Sequence, residues 1–540
     1  MKNNDAAEAR PSALDRRELL KLGTGVGAGL AMNQLLTPVT ASAQEGARPQ
    51  AVGQAPAYRP ERWREELRYA GVEMATGPGW QHGANRASGN GSMDETSRRI
   101  VEYVHAFSAS DLTPALESAF HNTMLDSIAS LVSGFESEPA RICARLARTT
   151  RGDLQSTVLG YGIVTTPELA AYANSSMIRH TDFNDHHSDM LGGILAVGEA
   201  LHSTGTDVMM AIILAYRVNQ ALSSAGGSIE GFDAGIYYLP AVAVSAGKLL
   251  GLNQDQLANA LSLALTMHVP LRVNRSGTLS MQKGCATADA VRSAVFAALA
   301  AREGMTGPAE PFEGRDGLWD KITGPYRQLR LAPSGPPGVG LNNIIKRSPA
   351  EAYTLAAHET IIPEVRAWTK VEDIASVHVE LNFVGWLEIA DPPKWDPRNR
   401  ETADHSLPYE IARALLDGEI WLDSFTEEKL MEPAVRALME KITVAVNPEY
   451  SYHGQVRMTV RTKNGAELVR EIGKGNTGIS LGSPVTHDEI IAKFNRVFAF
   501  MQVGDAQKER ALAQWSDVRA VKDIAEPMRN LARFGRPAPL

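Results

Sequence analysis

The chain has 540 residues, of which 44% are hydrophobic and 21% are charged. This amount of apolar side chain fills a sizeable core, which excludes an intrinsically disordered chain. The formal net charge of −8 argues against a nucleic-acid-binding protein, because such proteins rely on lysine and arginine to neutralise phosphates. The two cysteines, Cys143 and Cys285, are too few to supply a structural zinc site or an iron–sulfur cluster by themselves.

Residues 1–43 have the pattern of a bacterial export signal. The pair Arg16-Arg17 precedes an apolar stretch from Leu22 to Leu36, and Ala41-Ser42-Ala43 follows as a cleavage pattern. The stretch is short and glycine-rich for a membrane span. We therefore expect export through the twin-arginine pathway and a periplasmic protein without membrane association once the signal peptide is removed. The alternative is a chance arginine pair before an amphipathic helix.

Residues 44–92 contain recurring proline and glycine, which predicts a tether. From residue 93 onward apolar residues recur at helical spacing, which predicts an all-α domain over 93–344. Asp207 and Arg217 bracket a strongly apolar run, so we expect a buried core helix there rather than a membrane span. The predicted helices of this domain cover 112–134, 167–174, 188–202, 206–222, 238–250, 254–268 and 286–302.

A different pattern begins near residue 342. Alternation of apolar and polar residues predicts strands near 377–381, 442–446 and 456–460, and Lys463-Asn464-Gly465 predicts a hairpin turn into a further strand over 468–472. Helices are predicted between them, at about 349–361 and 403–416. We therefore expect an α+β lid domain over 345–485 and a C-terminal helical segment over 486–540 that returns to the α domain. The predicted fold class is mainly α with an α+β lid.

The densest polar cluster is Arg179–Asp189, with three histidines and three aspartates. Such a cluster suits acid–base chemistry or a metal ion. One alternative is that Ser188 and Asp189 only cap the following helix and that the histidines are solvated. Another is a metal-dependent hydrolase, whose ligands would be His180, Asp182, Asp185 and His186.

Cationic residues recur at two further places. Arg272, Arg275 and Lys283 precede the helix predicted at 286–302, where Lys283 and Gly284 could together hold an anion. Lys346 lies at the junction of the two predicted domains, where ligands often bind. The alternative for both places is that these cationic residues lie on the protein surface, face solvent and bind no ligand.

Seven motifs occur in order along the chain: Ala170–Asn174, Asp182–Asp185, Lys248–Leu252, Leu279–Ala286, Ala301–Pro308, Glu401–Tyr409 and Leu416–Ile420. Together they resemble the MmgE/PrpD family, the family of 2-methylcitrate dehydratase. The resemblance covers about residues 100–500 and implies a helical domain with an α+β lid, an active site between them and a homodimer. It also implies a small polycarboxylate substrate and chemistry that needs no cofactor and no metal.

The resemblance also implies site residues. Asp182 stands where the family has an acidic residue, and His186 matches its catalytic histidine. Lys283 and Lys346 match two family lysines. On this basis Lys283 and Lys346 would neutralise an enediolate, helped by Arg272 or Arg275, and His186 would be the base or acid, oriented by Asp182.

The chain departs from the family pattern at three places. Asp233-Ala234 replaces an Asp-His pair, Tyr353 replaces a histidine, and Asp185 is followed directly by His186 where dehydratases insert several residues. The expected function is dehydration of a small polycarboxylate similar to 2-methylcitrate. The alternatives are an epimerase or decarboxylase acting on a related polycarboxylate, and an exported non-catalytic protein that binds a polycarboxylate.

Overall fold

The computed structural model describes residues 80–81, 93–226, 231–324, 326–331, 341, 344–450, 454–473, 485–535 and 540. The predicted export signal over 1–43 lies outside the described residues, and so does the predicted tether over 44–92 apart from Trp80–Gln81. Those two residues form strand β1, which pairs antiparallel with β4, Tyr326–Arg327.

The first part of the described chain is almost entirely helical. Asp94, Thr113 and Ser137 begin its first three helices, each accepting a hydrogen bond from a backbone N–H of the first turn. A short hairpin of β2 and β3 follows (Ser156–Val158 and Ile163–Thr165). The helices are α1 Glu95–Ala106, α2 Pro114–Gly134, α3 Glu138–Ala147, α4 Pro167–His180, α5 Leu191–Ala200, α6 Gly205–Gly226, α7 Gly235–Leu249, α8 Gln254–Met267 and α9 Ala286–Arg302.

The core of this helical part is built around α9, which packs against α4, α7 and α8. Ala290, Ala294 and Ala298 of α9 are fully buried, and their small side chains allow the helices to approach closely. In α5, a β-carbon at Gly192 would lie 2.3 Å from the Oγ of Ser175 in α4. Because only glycine fits, α4 and α5 are tightly apposed, and the polar loop that joins them is fixed from both sides.

Helix α6 is long and apolar enough to cross a membrane by length and composition, and it is the one such helix among the described residues. Within the fold, 72% of its apolar window is buried, and its neighbours are α5 and α7. It is therefore packed inside the protein core, as expected from its charged flanks.

At the polar cluster, two helix boundaries differ from those predicted. Helix α4 continues to His180 instead of ending at residue 174, because the buried positions of its last turns are polar and so break the apolar periodicity. The helix predicted over 188–202 begins instead as a 3₁₀ turn, His186–Met190, followed by α5.

The second part of the chain contains short helices and a four-stranded sheet. The helix predicted over 349–361 is not a single α-helix. Helix α10 is followed by a π-helical turn at Ala356–Ile361, which leads into α11. The helices are α10 Ala352–Leu355, α11 Ile362–Trp368, α12 Phe383–Ile389, α13 Arg400–Ala403, α14 Leu407–Asp417, α15 Glu427–Leu430 and α16 Pro433–Met439.

The four strands lie in the order β6-β5-β7-β8, with β5 parallel to β6 and the other pairs antiparallel. Their alternating burial gives the sheet one apolar face, where Val377, Val379 and Leu381 of β5 are all buried. This face belongs to a second hydrophobic core, distinct from that around α9. The predicted turn joins β7 to β8, and Gly465 has a φ of 88°, which favours glycine. The strands are β5 Ile374–Leu381, β6 Ile442–Val446, β7 Val456–Thr462 and β8 Glu467–Ile472.

The C-terminal helices are α17 His487–Phe500, α18 Asp505–Ser516 and α19 Ala525–Asn530. Thr486 and Glu489 form a capping box at the start of α17. Helix α17 packs against α2, and its Phe494 and Phe498 belong to the core around α9. The described chain is thus mainly helical with small sheets.

Candidate active site

The polar loop between α4 and α5 contains a residue in an unusual backbone conformation. Asp182 follows the last turn of α4, is fully buried and has a φ of 53°. A left-handed conformation at a residue other than glycine is uncommon and is often found at functional sites.

Three cations surround the carboxylate of Asp182. Its Oδ1 lies 2.6 Å from Nη1 of Arg179 and 2.7 Å from Nζ of Lys346. Its Oδ2 lies 3.9 Å from Nζ of Lys283 and has no hydrogen-bond partner among the described residues. Burial favours protonation, but Arg179, then Lys346 and Lys283, outweigh it and hold the pKa of Asp182 well below its usual range. The carboxyl is therefore ionised.

The ammonium group of Lys346 is already fully hydrogen-bonded. It donates to the Oδ1 and the backbone oxygen of Asp182, at 2.7 and 3.1 Å, and to the backbone oxygen of Ala350 at 2.8 Å. An ammonium has three N–H donors. Lys346 thus influences the site through its charge and by fixing Asp182.

Lys283 begins a second chain of contacts, which ends at a histidine. Its Nζ lies 2.5 Å from Oδ2 of Asp404, and Oδ1 of Asp404 lies 2.8 Å from Nδ1 of His405. Since an ionised carboxylate only accepts hydrogen bonds, the His405 proton is on Nδ1 and Nε2 carries a lone pair. That Nε2 lies 3.8 Å from Oδ2 of Asp182. Burial and the charge of Lys283 lower the pKa of His405 to about 4, so the ring is neutral at pH 7.

His186 contacts Arg179 rather than Asp182. Its Nε2 lies 3.1 Å from Nη2 of Arg179. A guanidinium has only donors, so Nε2 accepts and the neutral ring carries its proton on Nδ1. Burial, then the charge of Arg179, keeps the pKa of His186 well below its usual value. Nδ1 is buried with no partner among the described residues, so His186 presents a hydrogen-bond donor.

The capping alternative for the 188–189 segment is wrong. Helix α5 has no side-chain cap, and the Oδ2 of Asp189 accepts a hydrogen bond from Thr287 at 2.7 Å and lies 3.8 Å from Nε of Arg179. Burial raises the pKa of Asp189 to about 7. Asp189 therefore lies near the Nε of Arg179, while Asp182 pairs with its Nη1.

The three residues predicted to bind the anionic substrate, Arg272, Arg275 and Gly284, differ from one another in burial and in their contacts. Arg275 is buried and its Nε lies 2.5 Å from Oδ2 of Asp233. Arg272 is partly exposed and pairs with Glu388. Gly284 ends a short 3₁₀ turn before α9 and packs against His180, whose Nδ1 would lie 3.5 Å from a β-carbon at that position.

Many polar atoms of this region are buried without a hydrogen-bond partner among the described residues. Most buried polar groups in proteins are hydrogen-bonded, so such a concentration is typical of a site that completes its hydrogen bonds with a polar ligand. Two surface grooves of about 620 and 650 Å³ involve none of these residues. The orphaned atoms are Arg179 Nε, His180 Nδ1, Asp182 Oδ2, both amide atoms of Asn184, His186 Nδ1, Asp189 Oδ1, Tyr238 Oη, Arg275 Nη1 and the Nε and Nη2 of Arg400.

Asp182, Asp404 and His405 also lie close enough to hold a metal ion, with one ligand atom of each within 4.8 Å of the others. Both carboxylates are already paired with lysine or arginine, whose charges would repel a divalent cation. The residues of the hydrolase alternative are not assembled as one group, since Asp185 instead lies 2.7 Å from Nδ1 of His187. The donor set thus suits an anionic ligand better than a metal.

The structure therefore gathers Asp182, Lys283, Lys346 and His186 around Arg179. Sequence reasoning assigned no role to Arg179, Asp404 or His405. Asp404 and His405 lie within the motif Glu401–Tyr409, whose resemblance to the family indicates no role for either residue. Their position against Lys283, more than 100 residues away, has no local signal in the sequence.

Comparison with known proteins identifies the family of the chain. The model of the MmgE/PrpD N-terminal domain matches residues 98–329, and that of the MmgE/PrpD C-terminal domain matches residues 349–517. A cis-aconitate decarboxylase of Aspergillus terreus is 24% identical over 389 residues, which are 62% of this chain and 76% of the relative.

Two further relatives are named 2-methylcitrate dehydratase. The mitochondrial protein of Yarrowia lipolytica is 26% identical over 426 residues, covering 73% of this chain and 81% of the relative. That of Salmonella typhi is 29% identical over 315 residues, covering 53% and 65%. With both domain models matched in order across most of its length, the chain belongs to the MmgE/PrpD family.

Proposed function

We propose that this protein is a lyase that dehydrates a small polycarboxylate similar to 2-methylcitrate, without a cofactor or metal. The observation that carries the proposal is the buried network in which Lys283 and Arg179 connect two ionised aspartates to two neutral histidines. The names of the relatives support this reaction class. The region built on the second core, including His405 and Lys346, would act as the lid over the helical part.

The charges of the network favour an anionic ligand. The cations outnumber the carboxylates whose pKa is held low, which leaves an excess of positive charge in a buried place. Such an excess costs free energy unless an anion binds. The cations are Arg179, Arg275, Lys283 and Lys346, and the carboxylates are Asp182, Asp233 and Asp404, while Asp189, whose pKa is raised to about 7, is only partly ionised.

The proposed reaction begins with removal of a proton next to a substrate carboxylate. His405 offers a lone pair at Nε2 and is held by Asp404, so it suits the role of base. The carboxylate gains charge as it becomes an enediolate, and Lys283 is placed to stabilise that charge. Lys346 supports the arrangement by holding Asp182.

The second half of the reaction is loss of the β-hydroxyl. A hydroxyl leaves as water when it receives a proton, and His186 has a proton on Nδ1 with no acceptor among the described residues. The carbon–oxygen bond breaks, the electron pair left on the α-carbon forms the double bond, and water departs. His186 is thus the acid of the proposed mechanism: its Nδ1 proton passes to the leaving hydroxyl, and the guanidinium of Arg179 at Nε2 stabilises the charge left on the ring. The proton that His405 removed returns to the ring after water departs. Asp182 orients His186 through Arg179.

The same site also suits a decarboxylase, the activity named for the Aspergillus terreus relative. In that reaction a carbon–carbon bond breaks, carbon dioxide leaves and the carbanion takes the proton from His186. An epimerase would instead return a proton to the opposite face of the same carbon. Released carbon dioxide would identify the decarboxylase, and solvent deuterium in recovered substrate without net dehydration would identify the epimerase.

The test is a screen of the purified mature protein with citrate, 2-methylcitrate, cis-aconitate and aspartate-derived polycarboxylates after treatment with a chelator. We expect turnover of at least one compound, unchanged by the chelator and reduced by about 10²–10⁴-fold in His186→Ala. Full activity in His186→Ala would refute the assignment of His186. Tight citrate binding without any turnover would favour the non-catalytic alternative.

We also propose that the protein is exported to the periplasm and forms a homodimer. Support for export comes from Arg16-Arg17, the apolar stretch and Ala41-Ser42-Ala43, and support for the dimer comes from the family resemblance. Cell fractionation should find the processed chain in the periplasm, and Arg16→Lys/Arg17→Lys should retain it in the cytoplasm. Sedimentation should give a mass of two chains.

A further inference from the structure

Asp233 and Arg275 form a buried ion pair at the edge of the orphaned polar atoms. Arg275 Nε lies 2.5 Å from Oδ2 of Asp233, and its Nη2 lies 3.4 Å from Oδ1. Asp233 is 1% exposed and Arg275 is 6% exposed. Burial favours protonation of the carboxyl, but the guanidinium outweighs it and lowers the pKa of Asp233, so the pair is ionic.

Backbone contacts fix this pair in place. The Asp233 N–H donates to the backbone oxygen of Pro270 and the Arg272 N–H donates to that of Gly231, both at 3.0 Å. Phe232 and Leu271 form an antiparallel bridge between them. Oδ1 of Asp233 also accepts from the backbone N–H of Gly235 at 3.1 Å. The two loops are therefore one rigid unit, and Asp233 has little freedom to turn away.

The guanidinium is only partly used by these contacts. Arg275 Nη1 is buried and has no hydrogen-bond partner among the described residues. An unpaired buried donor is unfavourable, and an arginine that served only to link two loops would gain nothing from it. The positive charge of Arg275 also helps burial and Arg179 to lower the pKa of His186, so the guanidinium belongs to the same buried region as the proposed acid.

We propose that the Nη1 group of Arg275 binds one carboxylate of the substrate and that Asp233 is the positioning residue that holds the guanidinium for it. The proposal rests on the proposed function and adds a determinant of specificity to it. Recognition of a carboxylate by Arg275 would then decide which polycarboxylates bind.

The decisive variant is the double replacement Asp233→Leu/Arg275→Met, which removes both charges together. Replacing a buried ion pair with apolar residues of similar volume is often neutral or stabilising, so this variant should fold. Asp233→Asn and Arg275→Lys are the single variants for comparison. The control is Asp417→Asn, which removes a carboxylate from the partly exposed ion pairs that Asp417 forms with Arg413 and Lys429.

The measurements are kcat and KM for the polycarboxylate that the wild-type protein turns over, and calorimetric binding of citrate. For the double variant we expect KM and the citrate Kd to rise about 10- to 100-fold, as for loss of a hydrogen bond to a charged group, with kcat within about threefold. Discrimination between citrate and an analogue lacking one carboxylate should fall by the same factor. Asp233→Asn should raise KM by less.

Two outcomes are distinguishable. If the folded double variant keeps the wild-type KM, citrate affinity and discrimination, the ion pair is structural and the inference is wrong while the proposed function stands. If the wild-type protein neither binds nor converts any polycarboxylate, the proposed function is wrong and the assignment of Arg275 is overturned with it.

Discussion

Replacing Asp404 with asparagine should reduce both activity and stability, because this carboxylate has two tasks. It pairs with Lys283 at 2.5 Å and holds the Nδ1–H of His405 at 2.8 Å. An asparagine can turn its amide donors toward Nδ1, which would move the ring proton to Nε2 and remove the proposed base. The expected loss in kcat is about 10²–10⁴-fold.

The loss of stability follows from the geometry of the pair. At a 2.5 Å separation, Coulomb's law with an effective dielectric constant of about 20 gives an attraction of about 7 kcal/mol. Removing the charge also removes the cost of burying that carboxylate, which is several kcal/mol. Asp182 Oδ2, 3.9 Å from Lys283 Nζ, still offsets part of the ammonium charge. We expect a net decrease in the free energy of unfolding of about 3 kcal/mol, at the low end for a broken buried pair.

Urea denaturation gives the free energy of unfolding, and steady-state kinetics give kcat and KM. The matched control is Asp423→Asn, which breaks the exposed pair with Lys429 at 2.8 Å and should cost at most about 1 kcal/mol with kcat unchanged. If Asp404→Asn keeps wild-type kcat, His405 is not the base. A loss of stability equal to that of the control would show that the pair with Lys283 contributes nothing.

Three further predictions concern other residues. Burial raises the pKa of Asp189 to about 7, so the folded protein keeps a proton that the unfolded chain loses near pH 4. The contribution of Asp189 to stability therefore declines as the pH rises from about 4 to 7. In thermal melts, Asp189→Asn should lose less stability than the wild type over that range, and an equal loss would contradict the burial argument. Cys143 and Cys285 are 2% and 7% exposed, so a thiol reagent should label them only as fast as the protein unfolds, and rapid labelling of the native protein would contradict their burial. Gly465→Ala should cost about 1 kcal/mol at its φ of 88°, measured by urea denaturation, and no change would mean that the turn tolerates a side chain.

The sequence predicted the fold well wherever apolar residues recur regularly. The strands over 374–381 and 456–462 and the helix over 286–302 follow such patterns closely. The end of α4 was missed because its last turns bury Ser175, Ser176 and Arg179. Buried polar residues look like surface residues in a sequence, and only the assembled site shows why they are inside.

The candidate site could be predicted from the sequence only in part. Asp182, His186 and Lys283 were selected from motifs, and the structure gathers them with Arg179. That Lys346 has no spare donor could not be predicted, because it depends on the backbone oxygen of Ala350. The contact between Lys283 and Asp404 joins residues of separate cores, and no local pattern indicates it.

The most direct test of the account is nuclear magnetic resonance of 2-methylcitrate and cis-aconitate incubated with the chelator-treated protein in deuterated water. We predict conversion of at least one compound to a dehydrated or decarboxylated product, and loss of that conversion in Lys283→Met. If neither compound nor citrate changes in any way, or if Lys283→Met is fully active, the claim of a cofactor-free polycarboxylate lyase is wrong.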